Sequence, residues 1–506
     1  MSAIGIHFGC TSACVAIIKD GRADVVANDA GDRVTPAVVA YRDDEQIVGI
    51  AAKQGRTWNS ANTVMKVKQL LGRRFDDAET QNYKSQSKCQ VVSRQGNPYY
   101  EILAGEKPEY VAPVDAAKAI LHNMKETAQW ALGSDVTDAV FTVPFEFSHS
   151  QEQALRDAAE AAGFRVLRLI HEPAAALLAY NIGQESSSGR SHVLVYKLGG
   201  ASLSISVLQV NGGMFQVLNS HTDLSMGGES FTDALAQFLA TEFERTYKQN
   251  VRTNARAMLK LMNGADMAKH SLSSLGSANC FVDSLYNGVD FDCNVSRARF
   301  ELLCTPIFNK CIQPIRPLLE KVRLTTSDIN KVVLCGGSTK IPRLQNMIQD
   351  IFPNVDILSS TPPDEVIAVG AALQAGLLVS RDGPVLEQES TTVEVSATDI
   401  LVKELDESGA EVFTLLLPSG TPLPARRHCV LSGDGKLSSV CMNIYQKLLL
   451  EQPQQLAKVI LRDLQPKEVN HSIDTVLTMK RDGSVHVSCV EQNNGTPEFV
   501  TIAATP

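Results

Sequence analysis

Apolar and polar positions alternate most cleanly over 193–219, VLVYKLGGASLSISVLQVNGGMFQVLN. An apolar run ends at Leu198, and the turn Gly199-Gly200-Ala201 follows. Beyond it Leu203, Ile205 and Val207 fall on one face and Ser202, Ser204 and Ser206 on the other, the period-two signature of a half-buried strand. Asn211-Gly212 is a hairpin signal leading into a third strand. The same order opens the chain over 4–28, IGIHFGCTSACVAIIKDGRADVVAN. A strand reaches Phe8, and Gly9-Cys10-Thr11-Ser12 turns. Val15, Ile17 and Ile18 mark a second strand, Asp20-Gly21 turns again, and 23–27 is the third. A lone Gly-Gly turn fits an ordinary hairpin. Two copies of the whole unit predict two similar subdomains facing each other. Each then offers one phosphate chain a loop whose N–H groups no side chain screens.

The remaining pattern predicts mixed helices and strands. A strand at 37–41 follows Pro36, where a missing N–H is tolerated. Val64, Val67, Leu70 and Leu71 share a face if 61–72 is helical. A long amphipathic helix covers 114–132, and a buried strand over 138–143 ends at Pro144. Ser150, with Gln153 as capping-box partner, starts a helix that ends near Gly163. A strand at 166–170 precedes Glu172-Pro173, which opens a helix over 174–180. A Ser/Gly-rich loop covers 184–191, and 228–275 is helical. Strand signals return at 280–285 and near Phe291, and 296–319 is helical but broken by Pro306, Pro314 and Pro317. The strand 331–335, Gly336-Gly337-Ser338 and a helix from Pro342 are in the order a phosphate or nucleoside site at a helix N-terminus needs. A last apolar helix covers 366–380. Glycine turns at 9, 199, 227–228 and 336–337 thus flank apolar strands, which fits a nucleotide cleft between two lobes. Beyond about 390 the pattern turns to strands over 393–395, 400–403, 412–417, 427–431, 440–445, 458–461, 475–479, 485–490 and 499–502. Turn signals at Pro418-Ser419-Gly420, Asp434-Gly435, Asp482-Gly483 and Asn494-Gly495 make this a β-sandwich of about eight strands.

Composition narrows the function classes. A length of 506 residues favours two to four domains, and 44% hydrophobic with 20% charged residues is ordinary for a soluble globular chain. A net charge of −9 argues against nucleic-acid binding by general electrostatics. No apolar run is long enough to span a bilayer, and no basic region precedes an apolar core at the N-terminus. Eleven cysteines, an odd number without a Cys-x-x-Cys pair, suit buried thiols in a reducing cytosol rather than a zinc site.

IHEPAAALLAY, VVLCGGSTKIP and DEVIAVGAA, together with 4–15, 28–40, 62–74, 136–144, 194–208, 227–231 and 283–300, resemble the heat shock protein 70 (DnaK-like) chaperone family over essentially the whole chain. More narrowly, the chain is similar to the short, atypical member that forms the cytosolic ribosome-associated complex with a J-domain protein. The resemblance implies an α/β actin-like (duplicated ribonuclease-H-like) ATP-binding domain over 1–382, a linker over 383–392 and a truncated substrate-binding-like β-sandwich over 393–506. KRDGSVHVSCVEQNNGTPEFVTI carries the last part, and the family's helical lid is not expected after it. Tight trapping of peptide is then not expected, and the sandwich is a candidate docking surface for the partner.

Carried over position by position, the resemblance keeps Gly9, Thr11, Lys68, Glu172, Gly199, Gly200, Gly227, Gly228 and Glu229. On the adenosine side Lys269, Ser273, Gly336, Gly337, Ser338 and Asp364 match the family. There Asp266 stands for Glu, and His270 and Lys340 each stand for Arg. Binding of ATP or ADP is therefore expected. The losses fall where hydrolysis is done. His7, Lys197 and Ser204 each stand where the family has Asp; Cys10 and Ser202 replace Thr, and Ala201 replaces Gly. Such acids hold hydrated Mg²⁺ and orient water, and phosphoryl transfer rests on that positioning. Loss of one preorganised group commonly costs about 10²–10³ in rate, so Lys68 and Glu172 are expected to be insufficient for catalysis. Compensation by water or Glu172 would leave modest hydrolysis. Lys197 places positive charge beside the β/γ-phosphates, so Mg²⁺ dependence is expected to be weak and no protein metal site is expected. Alternatively, Lys197 points to solvent or pairs with Glu172. His7 reads as a packed core histidine or a switch.

Glu152 stands where the family's interdomain relay has Arg, and 386–391 lacks the family's leucine run. One long-lived state is the simplest reading. The expected function is an ATP-binding chaperone subunit, heterodimeric with a J-domain co-chaperone, that meets ribosomes and nascent chains through its partner in the cytosol. Membrane and direct nucleic-acid contacts are not expected. A slow but genuine ATPase chaperone and another actin-like protein, a sugar kinase or filament former, are the alternatives.

Overall fold

The computed structural model describes residues 3–19, 22–42, 45–104, 107–183, 191–211, 214–379, 395–405, 411–423, 425–447, 452–467, 469–480, 482–492 and 497–503. They form two compact units, Met1–Leu386 and Glu387–Pro506. The expected linker at 383–392, the turns Asp20-Gly21 and Asn494-Gly495, Gly212 and the loop 184–190 lie outside the described residues.

The first unit contains one sheet built twice. β1 (Ile4–Phe8), β2 (Ser12–Lys19) and β3 (Arg22–Val25) are an antiparallel meander. β4 (Asp138–Val143) joins the free side of β1 in parallel and β5 (Arg165–His171) joins β4 the same way, giving the order β5-β4-β1-β2-β3. After β5 comes helix α1 (Glu172–Ala179). The second copy has β6 (Ser191–Leu198), β7 (Leu203–Asn211) and β8 (Met214–Asp223) as its meander. Helices α2 (Gly228–Tyr247) and α3 (Ala255–Ser274) follow. β9 (Lys331–Cys335) and β10 (Asp356–Leu358) then add in parallel beside β6, and the order is β8-β7-β6-β9-β10. Helix α4 (Val366–Val379) stands after β10 as α1 stands after β5.

The two copies meet through α1 and α4. A Cβ on Gly370 would lie 1.8 Å from the Ala175 carbonyl oxygen, and one on Gly5 would lie 2.0 Å from the Ala372 nitrogen. Only glycine permits backbones so close. Burial on every side over 366–372 explains why that half of α4 is apolar rather than striped.

Two local readings are corrected. Residues 61–72 are not a helix. Thr63–Met65 is a strand paired with Val38–Arg42, Lys66 turns the chain at φ 53, and Val67–Gln69 is a 3-10 turn. Val64, Val67, Leu70 and Leu71 are all buried nonetheless, because strand and turn bring them to one side as a helix would. The helix after Pro144 is His149–Ala161, and its capping box is Ser148 with Gln151, not Ser150 with Gln153.

In the second unit two four-stranded antiparallel sheets face each other, eight strands in all among the described residues. One runs Glu411–Leu417, Asp399–Leu405, Val440–Lys447, Gln454–Leu461. The other runs Ala425–Gly433, His471–Met479, Val485–Glu491, Glu498–Ile502. Ile400, Val402, Ile444 and Val459 share a core with Ile473, Leu477 and Val487, the inward positions of a sandwich. Of the strand expected at 393–395 only Val395 is described, bridging to Pro422. Among the described residues no helix is long and apolar enough to cross a membrane.

Candidate functional site

The glycine turns of the two copies are the same structure. The Gly9 N–H donates to the Ser12 carbonyl at 2.9 Å, and the Gly199 N–H donates to the Ser202 carbonyl at 2.9 Å. The loops touch, since a Cβ on Gly200 would sit 2.3 Å from Thr11 Oγ1. A third turn closes on them. The Gly228 N–H donates to the Gly199 carbonyl at 2.9 Å and the Glu229 N–H to the Gly200 carbonyl at 2.8 Å. Ser338 Oγ donates to the Gly199 carbonyl at 3.0 Å, and Gly336, at φ 83, holds the fourth turn against Leu198. Between these turns is a cleft of about 1290 Å³.

Gly9, Cys10, Thr11, Lys68, Glu172, Lys197, Gly199, Gly200, Ala201, Gly227, Asp266, Lys269, His270, Ser273, Gly336, Gly337, Ser338 and Asp364 all line it, as do His7 and Ser204. Gly228 and Lys340 do not line it. Gly228 packs behind the turns, against Ser338 Oγ. Lys340 is held away by Asp364 Oδ2 at 2.7 Å.

One charged cluster in the cleft centres on Glu172 at the start of α1. Lys68 Nζ donates to its Oε1 at 2.9 Å, and Lys197 Nζ, from the end of β6, donates to its Oε2. Lys197 therefore pairs with Glu172 rather than pointing to solvent. Burial alone would raise the Glu172 pKa, but Lys197 and Lys68 outweigh it and hold the carboxyl well below the usual range. For Lys197 burial is outweighed by Glu172 and the pKa rises; for Lys68 burial wins and it falls. With both lysines protonated the cluster carries one positive charge.

His7 belongs to the same cluster as a packed residue. Its Nδ1 shares a 2.8 Å hydrogen bond with Thr142 Oγ1 and lies 3.8 Å from Glu172 Oε1. Burial first, then Lys197, lower its pKa to about 3. The unfolded chain takes up this proton near pH 6.5 whereas the folded chain waits until about 3. Stability is thus expected to fall through that window as pH drops, by up to about 1.4 kcal/mol per unit. Urea unfolding of wild type and His7→Asn between pH 7 and 5 checks this; equal slopes would exclude it.

The second cluster centres on Asp266 of α3. It accepts from Lys269 at 2.8 Å, Lys53 at 2.7 Å and Thr232 at 3.2 Å, with His270 Nε2 at 3.7 Å. Burial raises its pKa, but Lys269 and Lys53 overcome this and hold it low. Among the described residues nothing hydrogen-bonds the buried Asp364 Oδ1, an acceptor ready for a donor from outside the chain.

Glycine turns, a net positive cluster and an unsatisfied acceptor fit a phosphorylated nucleoside. The first cluster offers Mg²⁺ no free carboxylate. That ion takes oxygen ligands, and Glu172 in the first cluster is already held by two ammonium groups. Among the described residues no group of three or more His, Cys, Asp or Glu side chains could hold a metal.

Glu146 was not anticipated. Its Oε1 accepts from Ser220 Oγ at 2.8 Å and Thr222 Oγ1 at 2.7 Å, both on β8 of the other copy. Ser204 Oγ lies 3.3 Å from Thr222 Oγ1. A carboxylate thus reaches, through one hydroxyl, the neighbourhood of Ser204, which the resemblance sets where the family has Asp. The available signal was its place just past the C-terminal end of a parallel strand, where ligand-binding loops of open α/β sheets gather.

The family model for the Hsp70 protein matches residues 3–505. The chain belongs to the Hsp70 family. Heat shock 70 kDa protein 14 of Danio rerio is 66% identical over 502 residues, 99% of each chain. The Xenopus tropicalis protein of that name is 60% identical over 510 residues and 100% of each chain, and the Homo sapiens one 59% over 506 residues and 99% of each. Hsp70 proteins are chaperones that bind ATP or ADP, and their actin-like ATPase domain and β-sandwich are the two units described above.

Proposed function

We propose that this Hsp70-family chaperone holds ATP or ADP in the cleft with little hydrolysis and little need for Mg²⁺. The observation that carries the reading is the ammonium of Lys197 on Glu172, positive charge where hydrolysis needs an acid. Phosphates lie on the turns at Gly9, Cys10, Thr11, Gly199, Gly200 and Ala201, with Gly227 and Gly228 supporting them. The nucleoside lies toward Asp266, Lys269, His270, Ser273, Gly336, Gly337, Ser338 and Asp364, with Lys340 steadying Asp364. Lys68 and Glu172 remain but are locked in an ion pair. Calorimetric titration with ATP in excess Mg²⁺ and in chelator is expected to differ by less than about tenfold. A loss of several hundredfold on chelation would contradict the reading.

The chain then works as the subunit of a ribosome-associated complex, paired with a J-domain co-chaperone and reaching nascent chains through that partner in the cytosol. Its similarity to the short, atypical Hsp70-like member supports this. Purification from cytosol, with identification of the co-purifying chain and any bound nucleotide, tests it; absence of a J-domain protein would count against it. The Glu146–Thr222–Ser204 chain favours a second reading, a slow ATPase. Single-turnover hydrolysis separates the two, because a phosphate burst that Glu146→Gln abolishes belongs only to the second. Family membership sets aside a sugar kinase or filament protein.

A further inference from the structure

We propose that Glu146 is a positioning residue that clasps the two lobes together. With the contact of Arg256 on Trp58, it sets how slowly nucleotide leaves the cleft. The inference rests on nucleotide occupying that cleft. Glu146 follows β4 in the first lobe, and both hydroxyls it accepts belong to β8 in the second. Glu146 and Thr222 line the cleft, so separating the lobes there must break these bonds. An ionised acceptor makes each of them stronger than a neutral pair. No cation pairs with Glu146 among the described residues, so its carboxylate is not competed for.

A second clasp lies elsewhere on the rim. Trp58 follows the first-lobe helix Ile50–Gly55, and Arg256 opens α3 in the second lobe. The guanidinium carbon of Arg256 stands over the indole, 3.5 Å from the ring centroid, a cation–π contact. Their chain neighbours Arg56 and Ala255 line the cleft, which places the contact at its edge. Trp58 is 72% exposed, so no core explains its presence; the arginine covers one ring face and solvent reaches most of the rest. Both clasps are contacts between side chains of the two lobes. Nucleotide must break them to leave, so release is slow and entry depends on spontaneous opening.

The test is stopped-flow release of a fluorescent N-methylanthraniloyl-ADP from the full chain, chased with unlabelled ADP. Glu146→Ala is expected to speed release about tenfold, because its two charge-assisted bonds are solvent-exposed and together contribute little more than one buried bond. Glu146→Gln keeps an acceptor oxygen and is expected to stay within about threefold of wild type. Trp58→Ala is expected to speed release about threefold, and its effect multiplies with that of Glu146→Ala because the clasps share no residue. Ser220→Ala with Thr222→Val is expected to match Glu146→Ala, and adding Glu146→Ala to that pair changes nothing further. Should Glu146→Ala fail to fold by circular dichroism, the Ser220/Thr222 variant reads the same contact from the other lobe. Unchanged release in folded variants that still bind the analogue overturns the clasp. Wild type that binds no analogue overturns the nucleotide reading itself, and the clasp with it.

Discussion

Lys197→Ala weakens ATP binding measured in chelator by about 100-fold. The cluster of Lys68, Glu172 and Lys197 has one positive charge to spare, and the substitution removes it. Two unit charges about 4 Å apart at an effective dielectric of ~20 attract by roughly 4 kcal/mol. About two-thirds of that, left after water and counterions readjust, is the stated factor. In excess Mg²⁺ the loss shrinks, because an ion arriving with the phosphates supplies part of the missing charge. Lys197→Asp, which puts the family's own residue back, is expected to make binding depend on Mg²⁺ outright. Titration calorimetry of the three chains with and without chelator decides the matter. Equal affinities in chelator would show that Lys197 serves only to neutralise Glu172.

Glu172→Ala destabilises the first unit by about 3–5 kcal/mol, the usual consequence of removing one partner from a buried ion pair. Lys68 and Lys197 are 3% and 14% exposed at the side chain and would be left buried facing each other. Glu172→Gln retains hydrogen bonding without the charge and falls between. Urea midpoints at pH 7 measure the difference; a shift below about 1 kcal/mol would mean that water reaches both lysines. The depressed Glu172 pKa carries stability that is fully present above the ordinary carboxylate range and is lost progressively below it, down to the folded value. The acid side of neutrality therefore belongs to His7, whose buried imidazole stays neutral while the unfolded chain is already protonated.

These two variants probe one group of atoms from opposite sides. Lys197→Ala removes spare charge and leaves a neutral pair, so the fold tolerates it and the ligand does not. Glu172→Ala leaves charge uncompensated, so the fold suffers first. A site that merely lost its acids to drift would show neither asymmetry.

Much of this architecture was legible in the chain. The strict alternation of Ser202–Ser206 against Leu203, Ile205 and Val207, and its echo near the N-terminus, announced the two meanders, because a period of two is local and survives in any window. The glycine turns were readable for the same reason: a tight approach of backbone to backbone forbids a side chain, as at Gly200 against Thr11 and Gly336 against Leu198. The replacements at His7, Lys197 and Ser204 were visible as residue types. What 61–72 becomes was not, since Val64, Val67, Leu70 and Leu71 satisfy a helix and a strand-plus-turn equally. Pairing of Val64 with Val39 and the backbone at Lys66 made the choice. Nor could a run of residues show which side of Lys197 its ammonium serves, or that Glu146 meets two hydroxyls some seventy-five positions away. Side chains set the local period and the backbone's freedom to turn. Only folding, by bringing distant charges within a few ångströms and out of water, decided which of them hold one another and which are left to hold a ligand.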